Sequence, residues 1–265
     1  MAKLSISRAW DETKAILARD GRLVVAVALA LFVLPGVVLN VTTPQAPAGE
    51  LPRAGPWIAV AIVALVASVT GQLAVIRLAM GPHVSVAEAI RHGALRALPY
   101  LGAMLIWAAP VILIGGFLAG LISLNPERPP PAAALGLLVL MGVAMFLAVR
   151  FMMSSPVASA EHAGPVTILS RSWKLTAGNW WRLFGFLLLF GIGALALLFA
   201  VAAVVGVIAK VLLGGIGPMT LGGLLVAIVG QLLNAAMWVV FFVMLARLYL
   251  QLAGRDSVSV PSSGT

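Results

Sequence analysis

The chain has 265 residues, of which 62% are hydrophobic and 9% charged, with a mean hydropathy of +1.11. Soluble domains carry about 25% charged residues, so a soluble globular protein is excluded; the absence of cysteine also excludes disulfides, thiolate metal sites and cysteine nucleophiles. A net charge of +9 would suit nucleic acid, but the placement of the basic residues points elsewhere.

A bilayer span needs roughly 20 apolar residues, and the chain offers six such runs. It opens with a basic amphipathic stretch in which Ile6, Ala9, Trp10, Thr13, Ile16 and Leu17 recur on one helical face. The first span follows near Leu23–Val41. No small-residue cleavage site follows it, so it reads as an uncleaved span rather than a signal peptide. A proline-rich loop, Thr42–Pro56, is too short to fold alone. It leads to the second span, Trp57–Met80, which carries Gln72 and ends near Arg77.

Val86, Ala89, Ile90, Gly93 and Ala97 form a second amphipathic stripe, with Ser85 and Glu88 as its capping box. The third span, Leu98–Leu124, contains Gly116 and Gly120, a small-xxx-small helix-contact signal. After the loop Asn125–Ala133 comes the fourth span, Ala132–Met153, with Arg150 near its end. Ser154 and Ser155 precede Pro156 and read as the end of a helix. Val166, Leu169, Trp173, Thr176 and Trp180 mark a third stripe. The fifth span, Leu183–Val207, continues as an apolar run to Leu213, predicting a helix that is tilted, extended or broken near Gly206. A glycine turn at Gly214–Pro218 precedes the sixth span, Leu221–Leu245.

No alternating ten-residue segments occur, so a barrel is excluded and each span must satisfy its backbone as a helix. The expected fold is all-α: a polytopic bundle of six transmembrane helices, arranged as three hairpins with amphipathic helices on the cytoplasmic side. Such helices lie in the interface with their basic residues among the headgroups. Residues 1–253 form one integral membrane domain, and 254–265 a disordered tail.

Fourteen of the 17 basic residues fall on one side. They are Lys3, Arg8, Lys14, Arg19 and Arg22 before the first span, Arg77, Arg91 and Arg96 at the second connection, Arg150, Arg171, Lys174 and Arg182 at the fourth, and Arg247 and Arg255 at the end. Arg53, Arg128 and Lys210 take the other side. The positive-inside rule then places both termini in the cytoplasm. The wealth of arginine over lysine, with abundant Ala, Gly and Val, suggests a GC-rich bacterium and hence its inner membrane.

The chain also repeats itself. Ser7–Lys14 (SRAWDETK) aligns with Ser170–Ala177 (SRSWKLTA), and Ala87–Ala94 (AEAIRHGA) lies between them as a weaker copy. Arg77, Arg150 and Arg247 each sit about one turn before a returning span leaves the membrane. Three units result, near 4–80, 84–153 and 167–253.

Candidate chemistry is sparse. His83, His92 and His162 share the predicted cytoplasmic side with Glu88 and Glu161, the residue types of a metal or acid–base site. They come from two separate loops without tight ligand spacing, so they read as solvated loop residues and helix caps. No nucleophile elbow, HExxH or phosphate-binding glycine loop occurs. No catalytic residue, metal or cofactor is expected, and no enzymatic activity.

Polar groups inside spans are default pointers to function. Here they are Gln72, Gln231 and Asn234, and such amides commonly bond across helices. A transporter would need a polar groove around them; the absence of mid-span Asp or Glu argues against a proton-driven pump. The three arginines have two readings. One is a bidentate fork on the phosphate of an anionic phospholipid. The other is snorkelling, with contacts to helix C-terminal carbonyls, and it needs no ligand. Trp57, Trp180, Trp181 and Tyr249 read as interfacial anchors; Trp107 and Trp238, being deeper, are expected to pack between helices.

The run from Arg150 to Gly185 (RFMMSSPVASAEHAGPVTILSRSWKLTAGNWWRLFG) resembles the signature of a bacterial family named after the membrane domain of certain glycerophosphoryl diester phosphodiesterases. The matching residues are Arg150, Pro156, Glu161, Gly164, Ser172, Trp173, Leu175, Thr176, Gly178 and Asn179. In that family the phosphodiesterase activity belongs to a separate soluble barrel, which this sequence does not contain. The resemblance therefore implies a stand-alone inner-membrane protein linked to phospholipids. The resulting expectation is a non-enzymatic protein that binds phospholipid or supports a protein partner in envelope homeostasis. The alternative is a transporter or lipid-translocating protein.

Overall fold

The computed structural model describes residues 4–44, 53–81, 84–124, 128, 130–212, 214–215 and 220–258. Lys3, His83, parts of the outer loops and turn, and the tail beyond Val258 lie outside them. All regular structure among the described residues is helical, and six helical segments are long and apolar enough to cross a membrane. The protein is a multi-pass helical bundle.

Helix α1 (Ile6–Ala28) begins where Ser5, in extended conformation, accepts the backbone N–H of Arg8 at 3.3 Å, satisfying a donor that the first turn leaves free. It runs without a break into a five-residue π-helical segment, Leu29–Val33, and then α2 (Leu34–Thr42). The second span is α3 (Trp57–Met80), with the bounds that hydropathy predicts. Helix α4 (Val86–Ser123) starts at Ser85, whose hydroxyl accepts the Glu88 N–H at 3.2 Å. It is followed by α5 (Pro131–Phe151), α6 (Ser154–Ala160), α7 (Pro165–Thr176), α8 (Trp180–Leu212) and α9 (Leu221–Val258).

Helices α4 and α9, of 38 residues each, are about 57 Å long at 1.5 Å per residue, against a hydrocarbon core of about 30 Å. Their surplus projects at the end that carries Arg77, Arg150 and Arg247. Here the expected interfacial helices depart from the sequence reading. The first two are not separate elements: α1 and α4 carry their amphipathic stripes straight into the span, and α4 passes Pro99 without breaking. Only α7 stands apart from its span. The break falls at Gly178, whose φ of 76° is a left-handed value that glycine adopts without steric cost.

The fifth span takes the extended form among those predicted, unbroken at Gly206 and running to Leu212. Two further expectations change. The last helix continues to Val258, so a disordered tail from residue 254 begins too early. Ser154 and Ser155 do not end a helix; they open α6 and are buried.

The hairpins close as α1–α2 with α3, α4 with α5, and α8 with α9, while α3 also packs along α4 and α9. The fully buried large side chains Leu73, Ile76, Met153, Leu245 and Leu248 concentrate the core at the arginine end. There Ser5 and Gln251 exchange two hydrogen bonds, at 3.0 and 3.2 Å, joining the first helix to the last. At aligned positions of the three amphipathic stretches, Ala9, Ala89 and Ser172 are buried, as are Thr13, Gly93 and Thr176. Gly116 and Gly120 face nothing within 4 Å and make no helix contact. The close approaches between α4 and α5 are instead Gly115 on Leu140 and Gly136 on Leu118.

Candidate functional site

A cavity of about 570 Å³ lies among the spans, all six of which contribute to its wall, and it opens at the surface of the bundle, where Leu65, Asn234 and Trp238 are exposed. Much of the wall is apolar and aromatic, including Phe32, Trp107, Phe151, Trp238, Phe241 and Phe242. Its polar groups are Ser68, Gln72, Tyr100, Ser154, Ser155, Gln231 and Asn234. The three intramembrane amides singled out in the sequence therefore meet in one space.

Their bonding divides them. Gln72 Nε2 donates to the Tyr100 hydroxyl at 3.2 Å, the cross-helix bond expected of such a residue. The side chains of Gln231 and Asn234 bond to no described residue, so the expectation fails for these two. They are three residues apart on α9 and share a face. Gln231 lies directly over Gly36 of α2, where a Cβ would meet its amide and displace it. In a bilayer, an amide without a partner costs several kcal/mol. The cavity therefore holds unused hydrogen-bonding capacity about 24 Å along α9 from Arg247, at 1.5 Å per residue.

Trp238, expected between helices, is 48% exposed and stacks on Phe242 at 5.5 Å beside Phe241. Trp107 packs on Phe151 at 5.8 Å as well as lining the cavity.

The arginine end is built differently. Ser172 Oγ donates to the Arg150 carbonyl at 2.9 Å, and Thr176 Oγ1 reaches the same oxygen at 3.3 Å. The two hydroxyls of α7 thus cap the final turn of α5. Trp173 lies against the Arg150 guanidinium, 4.6 Å from Cζ to ring centroid, with Phe146 at 5.3 Å. Leu175 is buried, Gly164 immediately precedes α7, and Gly178 turns the chain. The Asn179 carbonyl accepts the N–H groups of Arg182 and Leu183, starting α8. Glu161 Oε1 accepts from Tyr249 Oη at 2.9 Å and Arg171 Nε at 3.1 Å. Tyr249 is accordingly a buried tie between α9 and the α6–α7 connection, not an interfacial anchor. The whole motif, from Glu161 to Asn179, folds the connection onto the ends of the spans.

Arg96, counted in the sequence only as topology, is the residue that binds carbonyls. Its Nε donates to Ala158 O at 3.0 Å, and one terminal nitrogen donates to Glu161 O at 2.7 Å and Ala163 O at 2.8 Å. His92, one turn earlier, bonds the Ser159 carbonyl at 2.8 Å. Together they receive the C-terminal carbonyls of α6, in accord with the dipole there.

None of Arg77, Arg150 and Arg247 hydrogen-bonds a helix carbonyl among the described residues. Arg150 is held between aromatic rings, with Nε and Nη1 buried and unbonded. Arg247 Nε lies 4.0 Å from Glu12. Arg77 lies in the last turn of α3 and is partly buried. His92 and His162, predicted from separate loops, meet edge to face at 6.1 Å. Among the described residues, no three His, Asp or Glu side chains form a metal-binding group; His83 lies outside them.

The chain belongs to the family described as Domain of unknown function (DUF7847), whose model matches residues 4–252. Neither the curated proteins nor the solved structures contain a match.

Proposed function

We propose that this member of the family is a non-enzymatic integral protein of the bacterial inner membrane that binds a lipid-class amphiphile in the cavity among its spans. The observation that carries this reading is the pair of unbonded amides, Gln231 and Asn234, facing a cavity walled by all six spans. An aromatic wall with a few convergent polar groups is the usual composition of a ligand site, and 570 Å³ falls within the roughly 300–1,000 Å³ typical of such sites. The similarity of Arg150–Gly185 to the phosphodiesterase-associated membrane domains supports a link to phospholipid metabolism.

The arginine end faces the cytoplasm in this reading, with Arg77, Arg150 and Arg247 contacting anionic headgroups of the inner leaflet. A second reading, movement of lipid between leaflets, is favoured by the same cavity, since it places polar groups both near the arginine end and deep in the span region.

Native mass spectrometry of the chain released from nanodiscs of its own membrane lipids tests the main reading. One amphiphile retained per chain is expected. Lipid-free protein, or protein carrying another polypeptide, would move the assignment to a scaffold. Because the chain lacks cysteine, single cysteines at Ser7 and Arg53 report orientation. Only the second should react with an impermeant thiol reagent in intact cells, and the reverse pattern would invert the topology.

A further inference from the structure

We infer that the cavity selects an uncharged amphiphile, with a hydroxyl- or amide-bearing head, over a phospholipid. The inference rests on the cavity being the binding site and names the class of molecule it takes. All the polar side chains of the wall are neutral, Gln72, Tyr100, Ser154, Ser155, Gln231 and Asn234 among them, and each of these both donates and accepts.

Among the described residues, no cation lines the cavity. The cations stay at the arginine end, outside the wall: Arg150 between Phe146 and Trp173, Arg247 toward Glu12, and Arg96 on three carbonyls. A phosphate drawn from the headgroup region to these neutral amides would leave water for a site that offers no counter-charge, which desolvation disfavours. A hydroxyl or amide head loses much less on leaving water. It also matches an amide pair whose N–H and C=O groups are both unused. The aromatic remainder of the wall accommodates the adjoining hydrocarbon.

Two lipids that differ only in charge provide the experiment. The full chain is placed in nanodiscs of phosphatidylethanolamine containing equal amounts of diacylglycerol and phosphatidic acid with the same acyl chains. Retention after release is read by native mass spectrometry for the native chain and for the Gln231→Leu/Asn234→Leu variant. Diacylglycerol should be retained over phosphatidic acid by about tenfold or more, the scale of an uncompensated charge, and the variant should lose most of that preference. Equal or greater retention of phosphatidic acid, abolished by the variant, would overturn the uncharged class and leave the cavity site standing. Retention of either lipid that the variant does not alter would place binding elsewhere and overturn the cavity reading itself. Retention of neither would overturn both. A photoactivatable diacylglycerol on the native chain gives an answer independent of the variant's folding: cross-links should fall on α9 near Gln231, and cross-links confined to the arginine end would reject the inference.

Discussion

Two polar regions of this protein lie a few helical turns apart and obey opposite rules. At the arginine end, Arg96, His92, Ser172, Thr176, Glu161 and Tyr249 all have partners within the chain, mostly the carbonyls at which α5 and α6 stop. In the cavity, Gln231 and Asn234 have none among the described residues. Helix ends oblige the first set, because four carbonyls at each C-terminus lack intrahelical partners. No such obligation accounts for amides in the middle of α9. The comparison teaches that, in a membrane bundle, polar groups matched to helix-end carbonyls report architecture, whereas unmatched ones, the cavity amides and the unbonded nitrogens of Arg150 and Arg247 alike, mark where a ligand could bind.

The sharpest way to break that comparison is Arg96→Ala. Three hydrogen bonds from one cation to the α6–α7 connection are lost, and charged hydrogen bonds contribute about 1.5–3 kcal/mol each. A loss of about 3 kcal/mol or more is expected, read as a lowered thermal midpoint in detergent. An unchanged midpoint would mean that the bonds from Arg96 to the α6–α7 connection do not hold the bundle together. Glu161→Gln is expected to cost about 1–2 kcal/mol, because it weakens the bonds from Arg171 and Tyr249 without removing volume. Full stability there would assign the motif a role other than folding.

The smallest effect is expected in the cavity. Gln231→Leu/Asn234→Leu should leave the midpoint unchanged or raise it by up to about 1 kcal/mol, since replacing an unbonded polar group with an apolar one of similar size is nearly neutral or stabilising. A drop of comparable size to that of Arg96→Ala would erase the distinction between the two regions.

Much of this was legible in the sequence. Hydropathy located the spans, with α3 at its exact bounds, because a helix in lipid must be apolar along its whole length. The amides were recognisable as unusual by their positions alone. Their lack of partners was not, since bonding depends on which residues of other spans come opposite. The same reason hid Arg96, whose partners lie more than 60 residues away, although its spacing of four from His92 put both on one face. Gly116 and Gly120 misled because a small-residue pair states that helices can approach there, not that they do. The separation of α7 from α8 was signalled by Gly178, but nothing in the local pattern distinguished it from the continuous helices of the first two units.

The π-helical segment Leu29–Val33 acts as a gear between the two halves of the first span. In an α-helix, residues four apart drift by about 40° around the axis with each step, so a stripe of every fourth residue soon winds away from its target. The wider turn, with its i→i+5 bonds, turns less per residue and takes up one extra residue, about 100° of rotation. Val24 and Ala28, buried on one side of the segment, thereby stay aligned with Phe32 and Gly36 at the cavity wall. Converting the segment to ordinary pitch without removing a residue would rotate Gly36 by about 100° out from beneath Gln231, altering the cavity through helical phase alone, whereas deleting one residue together with the wide turn would leave Gly36 in place.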